Sequence, residues 1–197
     1  MKIGFVLECT LDGPEMQICR WLAQQTCPEF TPDNLLFRTM RNKQFLMEGC
    51  GDAASNLLDS GCEHVFILWD LRPSWPNGEK STKLSEMKIV NGMLDAANVP
   101  TDQVTCVCIV QELEAWLLVD TKALRDFCGP KSKHISSPGR VEHVDWPKNR
   151  VENLLKNRGK TYAAHYDALR IIQKADPKKL RKVPSYKQLE DKLRALC

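Results

Sequence analysis

The chain has 197 residues, of which 43% are hydrophobic, and it carries a formal net charge of +3. This composition is typical of a folded globular domain and excludes a disordered chain. No apolar run is long enough to cross a membrane, and a strand-like segment opens the sequence in place of a signal peptide. We therefore expect a cytoplasmic protein without membrane partners. The nine cysteines are scattered without a zinc-binding pattern, so we expect free thiols.

The charge is unevenly distributed along the chain. Residues 1–130 hold 11 Lys and Arg against 18 Asp and Glu, a net charge of −7. Residues 131–197 hold 17 against 7, a net charge of +10. Such a basic segment favours a polyanionic partner such as nucleic acid. The alternative is that it packs against the acidic part of its own chain.

Four segments have the apolar, β-branched character of buried strands: residues 2–8, 34–40, 64–70 and 104–110. Helical spacing of apolar residues follows each of the first three strands, in helices that begin near Met16 or span 48–60 and 82–97. Loops rich in helix breakers lie at 27–33 and 71–81. This alternation predicts an α/β fold, with a mostly parallel sheet flanked by helices in three layers.

The character of the chain changes after a helix predicted over 113–127. A loop-rich stretch follows, and then further helices are expected over 150–157, 162–175 and 185–196, the last with Ser185 as N-cap. We therefore divide the chain into an α/β domain, residues 1–128, and a basic helical C-terminal extension packed on it, residues 129–197. In the 113–127 helix, Trp116 is expected in the core, and Asp120 either caps a helix end or binds a second ion.

Acidic residues stand where predicted strands end. Glu8 and Asp70 close two strands, and Glu112 and Glu114 follow the strand over 104–110. Parallel strands present their carboxyl ends on one edge of a sheet, so these carboxylates could converge. Clustered carboxylates without His or Cys partners favour Mg²⁺ or Mn²⁺, and such a metal beside a basic surface suits phosphoryl transfer. The alternatives are solvated strand ends and an acidic first helical turn.

Other chemistries fit the sequence poorly. Cys9 lies beside Glu8 but has no histidine partner that would activate its thiol, and His143 and His165 are isolated. No glycine-rich nucleotide-binding loop occurs in the sequence.

Several blocks of sequence resemble one bacterial family. Residues 111–120, Gln-Glu-Leu-Glu-Ala-Trp-Leu-Leu-Val-Asp, together with Glu8 and Asp70, resemble the Toprim-like domain of unknown function 4276, which is related to the RloB-like proteins. Trp-Pro-Lys at 146–148, Gly-Lys-Thr-Tyr at 159–162 and Val-Pro-Ser-Tyr at 183–186 are similar to the C-terminal half of that family.

The resemblance implies a compact Toprim-like sheet of the kind found in topoisomerases, primases and overcoming-lysogenisation nucleases. It also implies an association with defence or mobile-element cassettes and with a partner ATPase. By this resemblance Glu8 is a general acid/base or a metal ligand, and Asp70 is a metal ligand. The usual Glu-Gly is Glu8-Cys9 here, and Arg72 stands where the family has a second Asp. Either Glu112 or Glu114 completes the site, or it holds one metal, or it is inactive, while Arg72 could contact a phosphate.

The leading prediction is a Mg²⁺- or Mn²⁺-dependent nuclease in which four acids hold the metal and carry the catalysis, while three cations bind backbone phosphates. The acids are Glu8, Asp70, Glu112 and Glu114, and the cations are Arg72, Lys148 and Lys160. The alternative is a catalytically degenerate subunit that acts with a partner ATPase or nucleic acid, suggested by Arg72 and by the exposed candidates Trp75 and Trp146. A small-molecule phosphoesterase is a third possibility.

Overall fold

The sheet matches the prediction closely. A computed structural model describes residues 1–73, 81–129 and 138–197. Four parallel strands form one sheet in the order β2-β1-β3-β4. They are β1 (Ile3–Leu7), β2 (Leu35–Thr39), β3 (His64–Asp70) and β4 (Val104–Ile109). The predicted α/β fold with a parallel sheet is confirmed, and it is consistent with a Toprim-like arrangement.

Helices cover both faces of this sheet. In the described residues they are α1 (Pro14–Thr26), α2 (Lys43–Asp59), α3 (Lys83–Ala96), α4 (Glu114–Leu118), α5 (Thr121–Cys128), α6 (Pro147–Lys156), α7 (Ala164–Ile172), α8 (Pro177–Leu180) and α9 (Pro184–Ala195). Among the described residues, no helix combines the length and apolarity that crossing a membrane requires.

Each face of the sheet has its own hydrophobic core, because alternate side chains of a strand point to opposite faces. Phe5 and Leu7 of β1 pack with α1 and with the helices that follow β4. Val6, on the opposite face, packs with α2 and α3. Leu155 and Leu189, from α6 and α9, are fully buried in the first core. The basic C-terminal helices therefore share a core with the sheet.

The prediction of one continuous helix over 113–127 is wrong, because the helix is interrupted between α4 and α5. The carboxylate of Asp120 accepts a hydrogen bond from the Lys122 N–H (3.0 Å), which caps the start of α5. The same carboxylate binds the Lys179 ammonium (2.8 Å) and the Asp176 N–H (3.0 Å). Asp120 thus caps the start of α5 and not the end of the predicted helix, and it joins the C-terminal region to the sheet domain.

The prediction that Ser185 is the N-cap of the last helix is also wrong. Pro184 occupies the first helical position of α9, where its fixed φ and missing N–H are well tolerated. The Ser185 hydroxyl instead accepts a hydrogen bond from the Trp116 indole N–H (2.9 Å). Trp116 is fully buried, which confirms its predicted place in the core.

The expectation of free thiols is wrong for one pair. Cys27 and Cys197 form a disulfide, with Cα atoms 5.6 Å apart. Cys27 follows α1 and Cys197 lies just past α9, and these two helices pack against each other. The fold therefore brings together two residues 170 positions apart, which the scattered spacing does not reveal.

Candidate functional site

The carboxyl ends of β1, β3 and β4 border a cleft of about 410 Å³. Register sets this geometry, since Leu7 pairs with Leu68 of β3, and Asp70 pairs with Ile109 of β4. The chain therefore leaves three strands at one edge of the sheet, and the acids predicted at strand ends come together there. The acidic residues that line the cleft are Glu8, Glu15, Asp70, Glu112 and Glu114.

Glu8 follows β1 and is held by the neighbouring strand. Its N–H donates to the Leu68 carbonyl (3.3 Å), and its carboxylate accepts from the Asp70 N–H (3.1 Å). Burial raises the pKa of Glu8 to about 7, although the positive charge of Lys43 and the Asp70 hydrogen bond act in the opposite direction. A carboxyl group with this pKa can gain or lose a proton near neutral pH.

Asp70 is the last residue of β3, and its carboxyl group is surrounded by other acids of the cleft. Burial raises its pKa well above the usual value, and repulsion from Glu15, Glu8 and Glu114 raises it further. A hydrogen bond from the Leu113 N–H lowers it. The Oδ1 atom of Asp70 is buried and has no hydrogen-bond partner among the described residues. This side chain therefore offers an oxygen for which an external cation would be a favourable partner.

Glu112 and Glu114 enter from the turn after β4. Gln111 has a left-handed backbone (φ 69°), and this turn leads into α4. Glu112 accepts a hydrogen bond from the Lys148 N–H (2.8 Å), and Glu114 accepts one from the Tyr162 hydroxyl (3.1 Å). Burial raises the pKa of Glu114 to about 7. The acidic first turn of α4 thus faces a cleft.

Glu15 is an acid of the cleft that the sequence analysis missed. It lies in the first turn of α1, directly after Pro14, so an ordinary helix-start signal conceals it. The Cys9 thiol donates to its carboxylate, while its buried Oε2 has no hydrogen-bond partner in the described ranges. Burial raises the pKa of Glu15 and also that of the Cys9 thiol. The thiol therefore stays protonated and is a poor nucleophile.

Two of the three predicted phosphate-binding cations reach the cleft. Arg72 and Lys148 line it, and the charge of Lys148 lowers the pKa values of Glu15 and Glu114. The Arg72 guanidinium donates to the Leu71 and Ser81 carbonyls (3.4 and 3.3 Å). Lys160 is elsewhere: its ammonium donates to the Phe127 carbonyl (2.5 Å) and lies over the Phe127 ring.

A buried ion pair beside the cleft also escaped the sequence analysis. Lys43, in the first turn of α2, is 4% exposed and bonds the fully buried Glu86 (3.3 Å) and the Pro73 carbonyl (2.5 Å). Glu86 also accepts from the Trp69 indole N–H (2.8 Å) and the Ser81 hydroxyl (2.5 Å). Pro73 lines the cleft, so this network supports its wall.

The structure describes one of the two exposed tryptophan candidates. Trp146 is 58% exposed, which confirms its predicted exposure, whereas Trp75 lies outside the described residues. His165 was judged isolated, yet it lines the cleft. It lies there because α7 begins at Ala164, beside the acids.

The carboxylate oxygens of the cleft are of the chemical type that a hard divalent cation prefers. In the described residues they are not arranged around one common position. Carboxylate oxygens are the ligands that Mg²⁺ prefers, and Asp70 and Glu15 each have a buried oxygen without a partner in the described chain. Over residues 1–73, 81–129 and 138–197, however, no three His, Cys, Asp or Glu side chains are placed to hold one ion together. Holding an ion by three of these carboxylates would therefore require their side chains to move, whereas one or two of them could hold Mg²⁺ together with water or substrate oxygens.

Comparison with protein-family models gives a match over residues 20–194 to a domain of unknown function, DUF4276. The matched range includes Asp70, Glu112 and Glu114, and it begins after Glu8 and Glu15. Neither the curated proteins nor the solved structures give a match.

Proposed function

The chain belongs to the DUF4276 family, and from this premise and the acidic cleft we propose that it is a Mg²⁺-dependent nuclease acting in the cytoplasm. The observation that carries the proposal is the gathering of carboxyl groups at one sheet edge. Burial raises the pKa values of Glu8, Glu15, Asp70 and Glu114, and Asp70 is additionally repelled by the other three. Such a cluster is unfavourable alone and is compensated by a bound cation.

The acids divide into two roles. Asp70 and Glu15, with their buried oxygens, and Glu8, which is hydrogen-bonded to the Asp70 backbone, would hold the cation after movement of their side chains. A bound Mg²⁺ supplies Lewis-acid activation of the phosphodiester. Glu114, with a pKa of about 7, moves a proton to or from the reacting groups. Glu112 is already bonded to the Lys148 backbone and fixes the start of α6 against the cleft.

The cations of the cleft bind the phosphates. Arg72 and Lys148 lie among the acids at its lining, where they offset negative charge on the substrate as well as on the protein. Arg72 replaces the acid that the family resemblance would require at this position, and Glu15 supplies a carboxylate from α1 instead. The basic C-terminal region adds a long-range attraction for a polyanion.

A second candidate is a catalytically degenerate subunit that binds a partner ATPase or nucleic acid. It is favoured by the lack, in the described part of the chain, of three acidic, His or Cys side chains placed to hold one ion. On this alternative the raised pKa values keep several carboxyls protonated, and no cation is needed. The two candidates differ in whether divalent cations bind and whether phosphodiesters are cleaved.

The deciding experiment is a cleavage assay on panels of DNA, RNA and small phosphodiesters with Mg²⁺ or Mn²⁺. Glu8→Gln and Asp70→Asn should each lower the rate at least about 100-fold, the size of effect expected for a residue that stabilises transition-state charge. Asp59→Asn is the matched control, because Asp59 is exposed at the end of α2. Cleavage that survives both cleft substitutions contradicts the proposal, and cleavage of small phosphodiesters alone identifies a phosphoesterase.

Lys148 and Lys160 offer a second comparison. Lys148→Ala should weaken cleavage more than Lys160→Ala, because only Lys148 lines the cleft. Equal losses would show that the cleft does not position the phosphates.

A further inference from the structure

Exposed large hydrophobic side chains gather at the edge of the sheet that carries the cleft. Helices that follow parallel strands begin at this edge. Leu84 lies in the first turn of α3. Other exposed large hydrophobic residues lie just before, or in the first turn of, α1, α2, α6 and α7. Apart from Met1, the exposed large hydrophobic residues in the described chain are Leu11, Phe45, Leu84, Trp146 and Tyr166. Exposed aromatic side chains beside a cleft are a signature of a binding surface, whereas Leu84 belongs to α3, none of whose described residues lines the cleft.

Trp146 and Tyr166 stand next to residues that line the cleft. Trp146 precedes α6 and lies two residues before Lys148. Tyr166 is 70% exposed and packs edge-to-face against His165, with ring centroids 4.9 Å apart. The Gln17 amide donates to the carbonyl of His165 (3.1 Å), which fixes the start of α7 to α1. Both aromatic residues therefore lie within two positions of residues that line the cleft.

The backbone at Trp146 is unusual for a bulky residue. Its φ of 53° and ψ of 62° lie in the left-handed region, which side chains other than glycine, asparagine and aspartate rarely adopt. This conformation leads into α6, whose Lys148 N–H reaches the Glu112 carboxylate. The indole gains little burial in return, since it is 58% exposed. A strained, exposed tryptophan beside a charged cleft is better explained by ligand binding than by folding.

We propose that the cleft takes a single-stranded nucleic acid, whose bases stack on Trp146 and Tyr166 while its phosphates contact Arg72 and Lys148. Proteins that bind single strands combine cations along the backbone with aromatic faces for the bases. In a duplex the base faces are already covered by their neighbours, so these rings would have nothing to stack on. The proposal deepens the proposed nuclease function by naming its substrate class, and it rests on that function only for cleavage, not for binding.

The test is the binding of a labelled oligonucleotide of about 20 nucleotides to the full chain, as a single strand and as a duplex of the same sequence. The measurements are made in EDTA at fixed salt, where metal-dependent cleavage cannot occur and affinities can be compared. We expect the single strand to bind at least about tenfold more tightly. Trp146→Ala and Tyr166→Ala should each weaken that binding about tenfold, the loss typical of one stacked base.

Matched variants distinguish aromatic stacking from nonspecific hydrophobic binding. Tyr166→Phe keeps the aromatic face and should bind as the wild type does, whereas Tyr166→Leu should not. Leu84→Ala removes an equally exposed apolar side chain from the same edge and should have no effect. Single-strand binding should also quench the fluorescence of the exposed Trp146, and Trp146→Phe should remove that quenching.

Three results would overturn the inference: equal affinity for single strand and duplex, binding of neither, or a loss on Leu84→Ala as large as on the aromatic substitutions. The last would indicate an apolar docking face for a protein. A separate cleavage assay with Mg²⁺ distinguishes the two proposals. Selective single-strand binding without cleavage removes the nuclease proposal and leaves the binding inference standing.

Discussion

Replacing Glu8 by glutamine should stabilise the metal-free protein, and only above the pH at which the carboxyl ionises in the unfolded chain. Burial raises the pKa of Glu8 from 4.5 to about 7. Well below pH 4.5 the carboxyl is protonated whether the chain is folded or not, and at pH 4.5 it is half ionised in the unfolded chain. Between pH 4.5 and 7 the unfolded chain loses this proton while the folded chain retains it, so ionisation favours unfolding. The destabilisation is fully developed above pH 7.

The expected size follows from the shift in pKa. One pKa unit corresponds to about 1.4 kcal/mol, so a rise from 4.5 to about 7 corresponds to about 3 kcal/mol. Glutamine keeps an oxygen that can accept the Asp70 N–H now bonded to Glu8 (3.1 Å), so this hydrogen bond should survive. The free energy of unfolding should therefore rise by about 3 kcal/mol at pH 8 and by less than about 1 kcal/mol at pH 4.5.

Urea denaturation followed by circular dichroism, in EDTA at both pH values, measures this difference. Asp59→Asn serves as the control, because an exposed acid far from other features should change stability by about 0.5 kcal/mol or less. A Glu8→Gln variant that gains the same stability at both pH values, or loses stability at pH 8, would refute a buried and electrostatically unfavourable carboxyl at this position.

Two further substitutions test the support of the cleft and the packing behind it. Lys43→Ala removes the buried ammonium that bonds Glu86. In urea denaturation it should lower the free energy of unfolding by about 3 kcal/mol, because the Glu86 charge is left buried without this partner. A loss below about 1 kcal/mol would contradict a structural ion pair. Gly51→Ala should lower the melting temperature through a loss of about 1–3 kcal/mol, because an added Cβ would lie 2.1 Å from the Met93 carbonyl oxygen. Gly92→Ala, in a helix with open space around the added Cβ, should be neutral or stabilising, and equal effects of the two substitutions would contradict the close approach of α2 and α3.

Local sequence patterns predicted the strands well, because each is a short apolar run bounded by loop residues. They were weaker at helix boundaries, where single hydrogen bonds decide. The helix predicted from residue 48 begins at Lys43, since the Asn42 side chain accepts from the Phe45 N–H (3.0 Å). Asp120 breaks the predicted 113–127 helix by the same kind of capping bond. Both residues were visible in the sequence, but the spacing of apolar residues dominated the interpretation.

The candidate site was predictable only where it follows from strand order. Glu8, Asp70 and the acids after β4 come together because parallel strands end at one edge, a general property of the fold. Glu15 looks like any acid at the start of a helix, and the Cys9 thiol and the Lys148 charge that act on it come from other elements. The pairing of Lys43 with Glu86 joins two residues that are 43 positions apart and lie on different helices, so no local pattern predicts it. Tertiary contacts, not propensities, set these parts of the site.

Calorimetric titration of the full chain with Mg²⁺ and Mn²⁺ near pH 6.5 tests the central claim, that the cleft carboxylates hold a divalent cation. We expect saturable binding accompanied by proton release, because carboxyls with raised pKa values must lose protons to coordinate an ion. Asp70→Asn should abolish the binding, and Asp59→Asn should not. No saturable binding by the wild type, or undiminished binding by Asp70→Asn, would contradict a cation site at this edge of the sheet.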